Sequence, residues 1–424
     1  MPVSRRTFTT LAASLLGGAL ARAQSPQDAN YDESRVGAYT LPPLLTRADG
    51  RPVRTAAEWR ERRAELLEAY AAHVYGRTPA GLPAFKAVDV EAPVAVLDGR
   101  AWRQQVRLEW GSGVSADVLV FRPRTDRAVP VFIGLNYFGN HAVHPDPAIV
   151  LSTRWMRSSD ANFIVDHRAT ERSRGTTTRR WPLDLIIAQG CAVMTAYYGD
   201  FAPDDPSVVG NGMARLATSS LTGTPAAQRW GAIGMWAWGL SQMRLAAATL
   251  PGLDPTRAAV IGHSRLGKAA LWAGVQDEQF AMVVANDSGE MGAALARRTY
   301  GETLKRITTS FPHWFCTGLS SYGDRVHDLP VDQHQLLALV APRVLHVASA
   351  VDDRWADPRG EFLATMEADA VWRLHGVPGL GTTTMPPVGP AIGRRVRYHI
   401  REGGHDIIAP DWTQYLATAK QELT

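Results

Sequence analysis

Short, uninterrupted apolar runs alternate with helical stretches from about residue 130 onward, and this alternation restricts the fold more than any other feature. Six such runs are bounded by turn residues, at 129–139, 191–199, 258–264, 280–289, 342–350 and 394–405. Helical spacing fills several of the gaps, at 226–249, 265–274 and 358–373. Strands that are apolar throughout have both faces covered, so the pattern predicts a mostly parallel central sheet flanked by helices in a three-layer α/β sandwich.

The first part of the chain has a different pattern. Residues 55–75 have helical spacing, and residues 84–122 alternate between apolar and polar in the way of antiparallel strands. Antiparallel strands followed by βα alternation are typical of the α/β-hydrolase fold, in which nucleophile, acid and histidine follow one another in that order. No internal repeat or low-complexity tract interrupts the sequence, so we expect a single catalytic domain over residues 24–424.

The N-terminal 23 residues are expected to lie outside that domain. The sequence SRRTF at 4–8 precedes an apolar run at 11–20, and Ala-Arg-Ala at 21–23 resembles a small-x-small cleavage site. The apolar run is shorter than the roughly 20 residues that cross a bilayer. Residues 1–23 therefore look like a twin-arginine signal peptide, and we expect the mature protein to be periplasmic or secreted.

Charge and composition narrow the classes of partner. Removing the signal would remove three arginines and no acidic residue, so the formal net charge would fall from +4 to +1. The basic residues form no block longer than an Arg-Arg pair, and a nucleic-acid or membrane-surface partner is not expected. We expect a monomer.

No cofactor or metal is predicted. The chain shows no glycine loop that would hold a phosphate, and the pair His141-x-x-His144 has no accompanying carboxylate set that would make it a zinc site. The two cysteines, Cys191 and Cys316, allow at most one disulfide, and we expect both to be reduced and buried.

Residues 260–274, VIGHSRLGKAALWAG, have the order of a strand, a sharp turn and a helix that present a nucleophilic serine. The spacing differs from the usual G-x-S-x-G elbow, because the second glycine comes one residue late and Arg265 follows Ser264. Serine is also a good helix N-cap. Gly262 and Gly267, however, are what a close strand-to-helix crossing requires, and we therefore predict that Ser264 is a nucleophile.

A serine nucleophile needs a histidine base and a carboxylate that orients the base. His405 follows the last apolar strand, and Gly403 and Gly404 before it allow the chain to turn back toward the serine. The acid has more than one candidate: Asp287 ends one strand, and the pair Asp352-Asp353 ends the next. All lie where the carboxyl ends of parallel strands meet, and the residues alone do not choose between them.

The unusual Ser-Arg sequence also has a chemical explanation. In this fold the backbone N–H of the residue after the nucleophile donates to the oxyanion. The guanidinium of Arg265 would add a second donor at the same place, and one preorganised donor is worth on the order of 10²–10³ in rate. Lys268 stands out as well, since only four of the 45 basic residues are lysines.

These residues resemble the glucuronoyl esterases, carbohydrate esterase family 15, whose signature is G-C-S-R-x-G-K. The chain has GHSRLGK at 262–268 and departs from that signature only at His263. Further similarity to bacterial members lies at 134–141, 286–289, 300–303, 313–316 and 348–358. The resemblance covers the catalytic half of the chain and implies an α/β-hydrolase fold.

The resemblance implies that the enzyme hydrolyses esters between 4-O-methyl-glucuronate or glucuronate of xylan and lignin alcohols, which is 4-O-methyl-glucuronoyl methylesterase activity. Its substrate would be glucuronoxylan in lignin-carbohydrate complexes. It implies Ser264 as nucleophile, His405 as base and Arg265 as the oxyanion residue. Contacts to the sugar are implied for Lys268, Glu302 and Trp355.

Members of the family place the acid either where Asp287 stands or near Asp353, and here both positions carry a carboxylate. We expect partial redundancy, with the larger single effect at Asp287 because it matches the Glu-Ser-Gly position of other members.

Three other functions remain to be weighed. An acetylxylan or other small-acyl carbohydrate esterase would use the same fold. A peptidase of the prolyl oligopeptidase type would require a propeller or large cap that the first 120 residues cannot hold. An inactive polysaccharide-binding protein would not be expected to keep Ser264, His405 and an acid.

Overall fold

The computed structural model describes residues 29–217 and 223–423, and the predicted signal peptide at 1–23 lies outside the described residues. The strands are β1 Lys86–Val96, β2 Ala101–Gly111, β3 Val114–Pro123, β4 Val129–Asn136, β5 Ala192–Tyr197, β6 Leu253–His263, β7 Met282–Asn286, β8 Val344–Ala350, β9 Ile392–Gly393 and β10 Val396–Arg401. The α-helices are α1 Ala56–His73, α2 Asn140–Val143, α3 Leu183–Ala188, α4 Tyr198–Phe201, α5 Ala232–Ala247, α6 Arg265–Gln276, α7 Leu304–Ser310, α8 Gln333–Ala338, α9 Pro358–Leu374 and α10 Ala409–Glu422.

The strands form one ten-stranded sheet in the order β1-β2-β3-β5-β4-β6-β7-β8-β10-β9. Strands β5, β4, β6, β7, β8 and β10 are mutually parallel, whereas β1, β2 and β3 precede them as antiparallel neighbours and β9 is antiparallel to β10. Strands β5, β7, β8 and β10 are buried at every residue. Full burial explains the mainly apolar sequences of β5, β7 and β8, because each side chain meets a covered face. Strand β10 differs from the prediction, because Arg397, His399 and Arg401 are buried in it with hydrogen-bond partners.

Helices cover both faces of this sheet. One hydrophobic core contains Trp236 of α5, Trp272 of α6 and Trp372 of α9. The other contains Ile186 of α3 and Trp412 of α10. The predicted α/β-hydrolase fold with its three layers is therefore confirmed.

Helix boundaries follow local sequence signals. Helix α1 begins with a capping box in which the Thr55 side chain accepts from the Glu58 backbone while Glu58 reaches back to the cap. Helix α9 begins at Pro358 after Asp357, whose side chain accepts from the Gly360 backbone. Both boundaries agree with the helices that the sequence predicts at 55–75 and 358–373.

Across the described ranges, no helix combines the length and the apolar character that a membrane crossing requires.

Both cysteines are buried and unbridged, as expected from the sequence.

Candidate active site

Ser264 occupies a strained turn between β6 and α6. Its backbone has φ 57° and ψ −129°, which is a sparsely populated region for a residue with a side chain. A Cβ atom at Gly262 would lie 1.9 Å from the backbone oxygen of Leu266, and one at Gly267 would lie 2.9 Å from Cβ of Ser288. The two glycines thus permit helix α6 to cross the strands closely, and this crossing explains their spacing around the serine.

His405 lies in the loop between β10 and α10, after Gly403, whose φ of 92° favours glycine. Its Nδ1 lies 2.5 Å from Oδ2 of Asp353, the residue that follows β8 by three positions. An Nδ1–H donated to this carboxylate leaves Nε2 free to accept a proton, as a general base requires. The His405 side chain is 42% exposed, so it can reach a substrate.

The second candidate acid, Asp287, is buried and has a different partner. Its Oδ2 lies 3.3 Å from a guanidinium nitrogen of Arg401. Burial, reinforced by the neighbouring Asp353 carboxylate, raises the pKa of Asp287 well above its ordinary value, while Arg401 opposes the shift. These contacts do not support the expectation of a larger role for Asp287, because His405 donates its hydrogen bond to Asp353.

The same three residues are the group that a metal ion could use. Ligand atoms of Asp287, Asp353 and His405 all lie within 4.8 Å of one another. Asp287 is already hydrogen-bonded to Arg401, and His405 Nδ1 is engaged with Asp353. The contacts therefore fit an acid–histidine pair with a second carboxylate beside it.

The side chains of Ser264 and His405 line one cavity, but within the described ranges no hydrogen bond joins them. In enzymes without a bound substrate such bonds are often long and tighten only in the complex.

All eight site residues predicted from the sequence line this cavity, whose volume is about 480 Å³. They are Ser264, Arg265, Lys268, Asp287, Glu302, Asp353, Trp355 and His405. Their spread over 142 positions of the chain makes this convergence a property of the fold, which brings the carboxyl ends of β6, β7, β8 and β10 to one edge.

Arg265, the residue after Ser264, begins α6 and has contacts on several sides. One guanidinium nitrogen pairs with the fully buried carboxylate of Asp204. The guanidinium carbon lies 4.7 Å from the ring centroid of Trp314 and 5.6 Å from that of Phe311. These contacts hold a cation beside Ser264 at the cavity wall.

Lys268 and Glu302 are two buried ionisable residues that line the cavity. Lys268 Nζ donates to the backbone oxygen of Ser288 at 2.6 Å, and an ammonium group has three donors in all. Burial lowers the pKa of Lys268, and the carboxylates of Glu302 and Glu290 act against that shift. Burial likewise raises the pKa of Glu302, which Lys268 opposes. Lys268 is therefore not a solvated helix residue but a buried part of the cavity wall.

Trp355 lies between Asp353 and the start of α9 and is partly exposed, in contrast to the fully buried tryptophans of the core. Its backbone oxygen accepts from the Glu302 backbone at 3.0 Å, so the two segments are joined. A half-buried indole on a cavity wall is suited to stack on a sugar ring.

His263, the position at which the chain departs from the family signature, lies next to His405. Its ring centroid is 4.4 Å from that of His405, and its Nδ1 lies 2.7 Å from Oδ1 of Asn286. Burial, with the nearby His405, lowers the pKa of His263 well below its ordinary value, so the ring packs as a neutral group.

Other cavity residues were not identified from the sequence as site residues. Tyr31 belongs to the N-terminal segment, and Arg306 and Phe311 lie on or next to α7. Trp314 lies in the segment 313–316, which resembles the family, but the sequence indicated no function for it. Asp204 was also missed, because it is brought to Arg265 by a long loop. No sequence signal connects these distant segments.

Comparisons with known proteins show which family the chain resembles over its length. A family model described as "glucuronyl esterase, fungi" matches residues 187–376. Carbohydrate esterase MZ0003, from an unknown prokaryotic organism, is 42% identical over 404 residues, which are 94% of this chain and 93% of that protein.

Two solved structures are similar over nearly the whole chain. A promiscuous CE15 esterase from a marine bacterial metagenome has 41% sequence identity and a TM-score of 0.87, with 93% of this chain and 100% of that chain covered. A glucuronoyl esterase from Solibacter usitatus has 40% identity and a TM-score of 0.87, with 92% and 100% covered.

Proposed function

The chain belongs to carbohydrate esterase family 15, the glucuronoyl esterases, and from that premise we propose that it cleaves esters of glucuronate or 4-O-methyl-glucuronate of xylan with lignin alcohols. The enzyme class, a carboxylic ester hydrolase, follows from the family. The proposal for this chain adds the substrate and a Ser-His-Asp mechanism.

One observation carries the proposal. The cavity that holds Ser264 on its strained turn and the His405–Asp353 pair also contains the polar side chains of Lys268 and Glu302. A hydrolytic centre and hydroxyl-binding groups therefore share one space. This combination fits an ester whose acyl part is a sugar acid better than it fits a small apolar acyl group.

In the first half-reaction, Ser264 Oγ attacks the C6 carbonyl carbon of the uronate while His405 Nε2 takes its proton. Asp353 accepts from His405 Nδ1–H and stabilises the imidazolium that forms. The tetrahedral intermediate then collapses, the C–O bond to the alcohol breaks, and His405 returns the proton to the leaving oxygen. The product is a glucuronoyl ester of Ser264.

In the second half-reaction, water replaces the alcohol. His405 removes a proton from water as it attacks the acyl-enzyme, and the serine leaves with that proton. In both halves the oxyanion receives the Arg265 backbone N–H and the Arg265 guanidinium. Donors that are fixed before the reaction begins need no reorganisation when charge develops, and the contacts of Arg265 with Asp204 and Trp314 support this role.

Recognition of the acyl half is assigned to three residues. Lys268 and Glu302 donate to and accept from the hydroxyls of the uronate ring, and Trp355 stacks on its face. The alcohol then projects from the open side of the cavity, where the enzyme makes fewer demands. Glucuronoxylan joined to lignin is the polymer that presents such an ester, and export by a signal at 1–23 would bring the enzyme to it in the periplasm or outside the cell.

The test is hydrolysis of benzyl glucuronate by the wild-type enzyme and by Ser264→Ala. Wild type should release glucuronate and benzyl alcohol in equal amounts, measured by chromatography. Ser264→Ala should keep the wild-type circular dichroism spectrum and lose turnover and labelling by a fluorophosphonate probe. Probe labelling of the variant at the wild-type rate would show that Ser264 is not the nucleophile.

A further inference from the structure

Asp204 is a fully buried carboxylate with four polar partners, and none of the sequence motifs singled it out. Its Oδ1 accepts from His313 Nε2 at 2.9 Å and from Trp314 Nε1 at 2.7 Å. Its Oδ2 accepts from Tyr198 Oη at 3.2 Å and pairs with a terminal guanidinium nitrogen of Arg265. The carboxylate therefore has a fixed orientation and is bonded to the residue that follows the nucleophile.

Burial alone would raise the pKa of Asp204, but the charge of Arg265 and the hydrogen bonds from His313 and Trp314 lower it to about 2. The folded protein thus keeps Asp204 ionised at every pH at which an esterase of this kind would be assayed. Its pairing with Arg265 persists over the same range.

Aromatic rings also pack near the guanidinium of Arg265. Its central carbon lies 4.7 Å from the Trp314 ring centroid and 5.9 Å from that of Tyr137. Trp314 therefore serves twice, once as a donor to Asp204 and once as a ring beside the cation. The Nε atom of Arg265 is buried and has no hydrogen-bond partner within the described ranges.

We propose that Asp204 is a positioning residue that holds one terminal nitrogen of the Arg265 guanidinium and leaves the other terminal nitrogen directed to the oxyanion. The proposal rests on the esterase mechanism given above. An arginine has five N–H donors in a rigid fork, so engaging one edge fixes the direction of the rest. An unanchored arginine of this length would lose that orientation to side-chain entropy.

A second role for the pair, simple charge compensation, leads to the opposite expectation. The negative charge of Asp204 weakens the positive potential that Arg265 exerts on the oxyanion. If the strength of that potential decided the rate, removing the carboxylate would raise kcat. If orientation decides the rate, removing it lowers kcat.

Asp204→Asn separates these expectations with little change in volume. The amide keeps one oxygen for Trp314 and His313 and presents an N–H₂ to Arg265, so the guanidinium loses its acceptor. We expect kcat to fall on the order of 10–100-fold, which is part of the loss caused by removing an oxyanion donor, with KM nearly unchanged. The loss should be the same for methyl glucuronate and p-nitrophenyl acetate, because both pass through an oxyanion at the same place.

Asp200→Asn is the matched control. Asp200 is a buried aspartate four positions earlier, bonded to the Asp117 backbone and near Arg154, and none of its recorded contacts is to Arg265. The kcat of the Asp200→Asn variant should stay within about twofold of wild type, as expected for a substitution remote from the reacting atoms. A similar loss in both variants would mean that the effect is general loosening of the fold, and it would overturn the proposal.

A double-mutant cycle with Arg265→Met gives the decisive readout. If Asp204 acts through Arg265, Asp204→Asn should lower kcat in the wild-type background and change it less than about twofold in the Arg265→Met background. Additive losses, an unchanged kcat or a raised kcat would each reject the proposal.

A substitute variant and a second substrate cover two ways in which this test could fail. Should Asp204→Asn fail to fold, Trp314→Phe removes one donor to Asp204, and a smaller loss of kcat on both substrates is expected; no loss would reject the proposal. If wild type were to hydrolyse p-nitrophenyl acetate but not methyl glucuronate, the proposed substrate would fail, while the cycle on p-nitrophenyl acetate would still decide the role of Asp204.

Discussion

His405 Nδ1 lies 2.5 Å from Oδ2 of Asp353. This contact distinguishes between two carboxylates that the sequence leaves equivalent, because the other, Asp287, pairs with Arg401 and is driven toward its neutral form by burial. Asp287 nevertheless lies close to both other residues, because ligand atoms of Asp287, Asp353 and His405 are all within 4.8 Å of one another. Asp287 is thus positioned beside the pair without being its acceptor.

We predict that Asp353→Asn has the larger effect of the two acid substitutions. It removes the acceptor that fixes the His405 tautomer, and kcat should fall on the order of 10³–10⁴-fold. Asp287→Asn should cost much less, because the His405–Asp353 bond remains. Steady-state kinetics on methyl glucuronate compare the two variants, and a greater loss in Asp287→Asn would reverse the assignment.

The close crossing at the nucleophile turn predicts a strict requirement at Gly262. In Gly262→Ala the new Cβ would lie 1.9 Å from a backbone oxygen, and neither atom can move without displacing Ser264. We expect destabilisation of more than about 3 kcal/mol or loss of soluble protein. Gly210→Ala is the control, since a Cβ there meets no atom within 4 Å. Thermal unfolding followed by circular dichroism measures both, and equal melting temperatures would contradict the described turn.

Asp200 predicts a pH dependence of stability that does not involve catalysis. Burial raises its pKa to about 7, with Arg154 opposing, from an ordinary value of 3.8. Between these values the unfolded chain has released the proton and the folded chain retains it, so stability falls as pH rises through this window.

Asp200→Asn removes that penalty. The Tm of the variant should equal that of wild type near pH 4 and exceed it by roughly 2–4 °C at pH 8. Differential scanning calorimetry at both pH values tests this, and a Tm difference that does not change with pH would show that Asp200 ionises normally.

Lys268 should contribute to recognition of the uronate ring and not to the ester-cleavage step. Lys268→Arg replaces a compact ammonium with a planar fork that cannot occupy the same buried place. We expect kcat/KM on methyl glucuronate to fall roughly 10–100-fold, the value of one hydrogen bond to a charged group, with p-nitrophenyl acetate nearly unaffected. Equal losses on both substrates would instead mean that Lys268 supports the nucleophile turn through Ser288.

Much of the fold was predictable because its signals are local. Strands β4, β5, β7 and β8 and the second half of β6 are mainly apolar, as expected of parallel strands with both faces covered. Strand β10 differs, because its buried residues include two arginines and a histidine. The turn at Ser264 was predictable for the same reason, since both glycines that permit it lie within three residues of the serine. Helix α10 was not predicted although Trp412, Tyr415 and Leu416 have helical spacing, and it completes the second helical layer.

The rest depends on distances across the fold. Asp287 and Asp353 both follow parallel strands, and only the position of the His405 loop relative to each decides which is the acceptor. Asp204 and Tyr31 come from segments without regular periodicity, so no pattern joins them to Arg265 or to the cavity. Their roles follow from burial and contacts, which a single sequence does not encode locally.

The central claim, that this site selects its ester by the acyl sugar, is tested most directly by comparing kcat/KM for methyl glucuronate, methyl galacturonate and acetylated xylose on the wild-type enzyme. We predict that methyl glucuronate is the best of the three substrates and that acetate esters are worse by up to roughly 10⁴-fold. Replacing methyl by benzyl in the alcohol should change kcat/KM only modestly. A preference for acetylated xylose over methyl glucuronate would contradict the central claim and identify the enzyme as an acetyl esterase on the same fold.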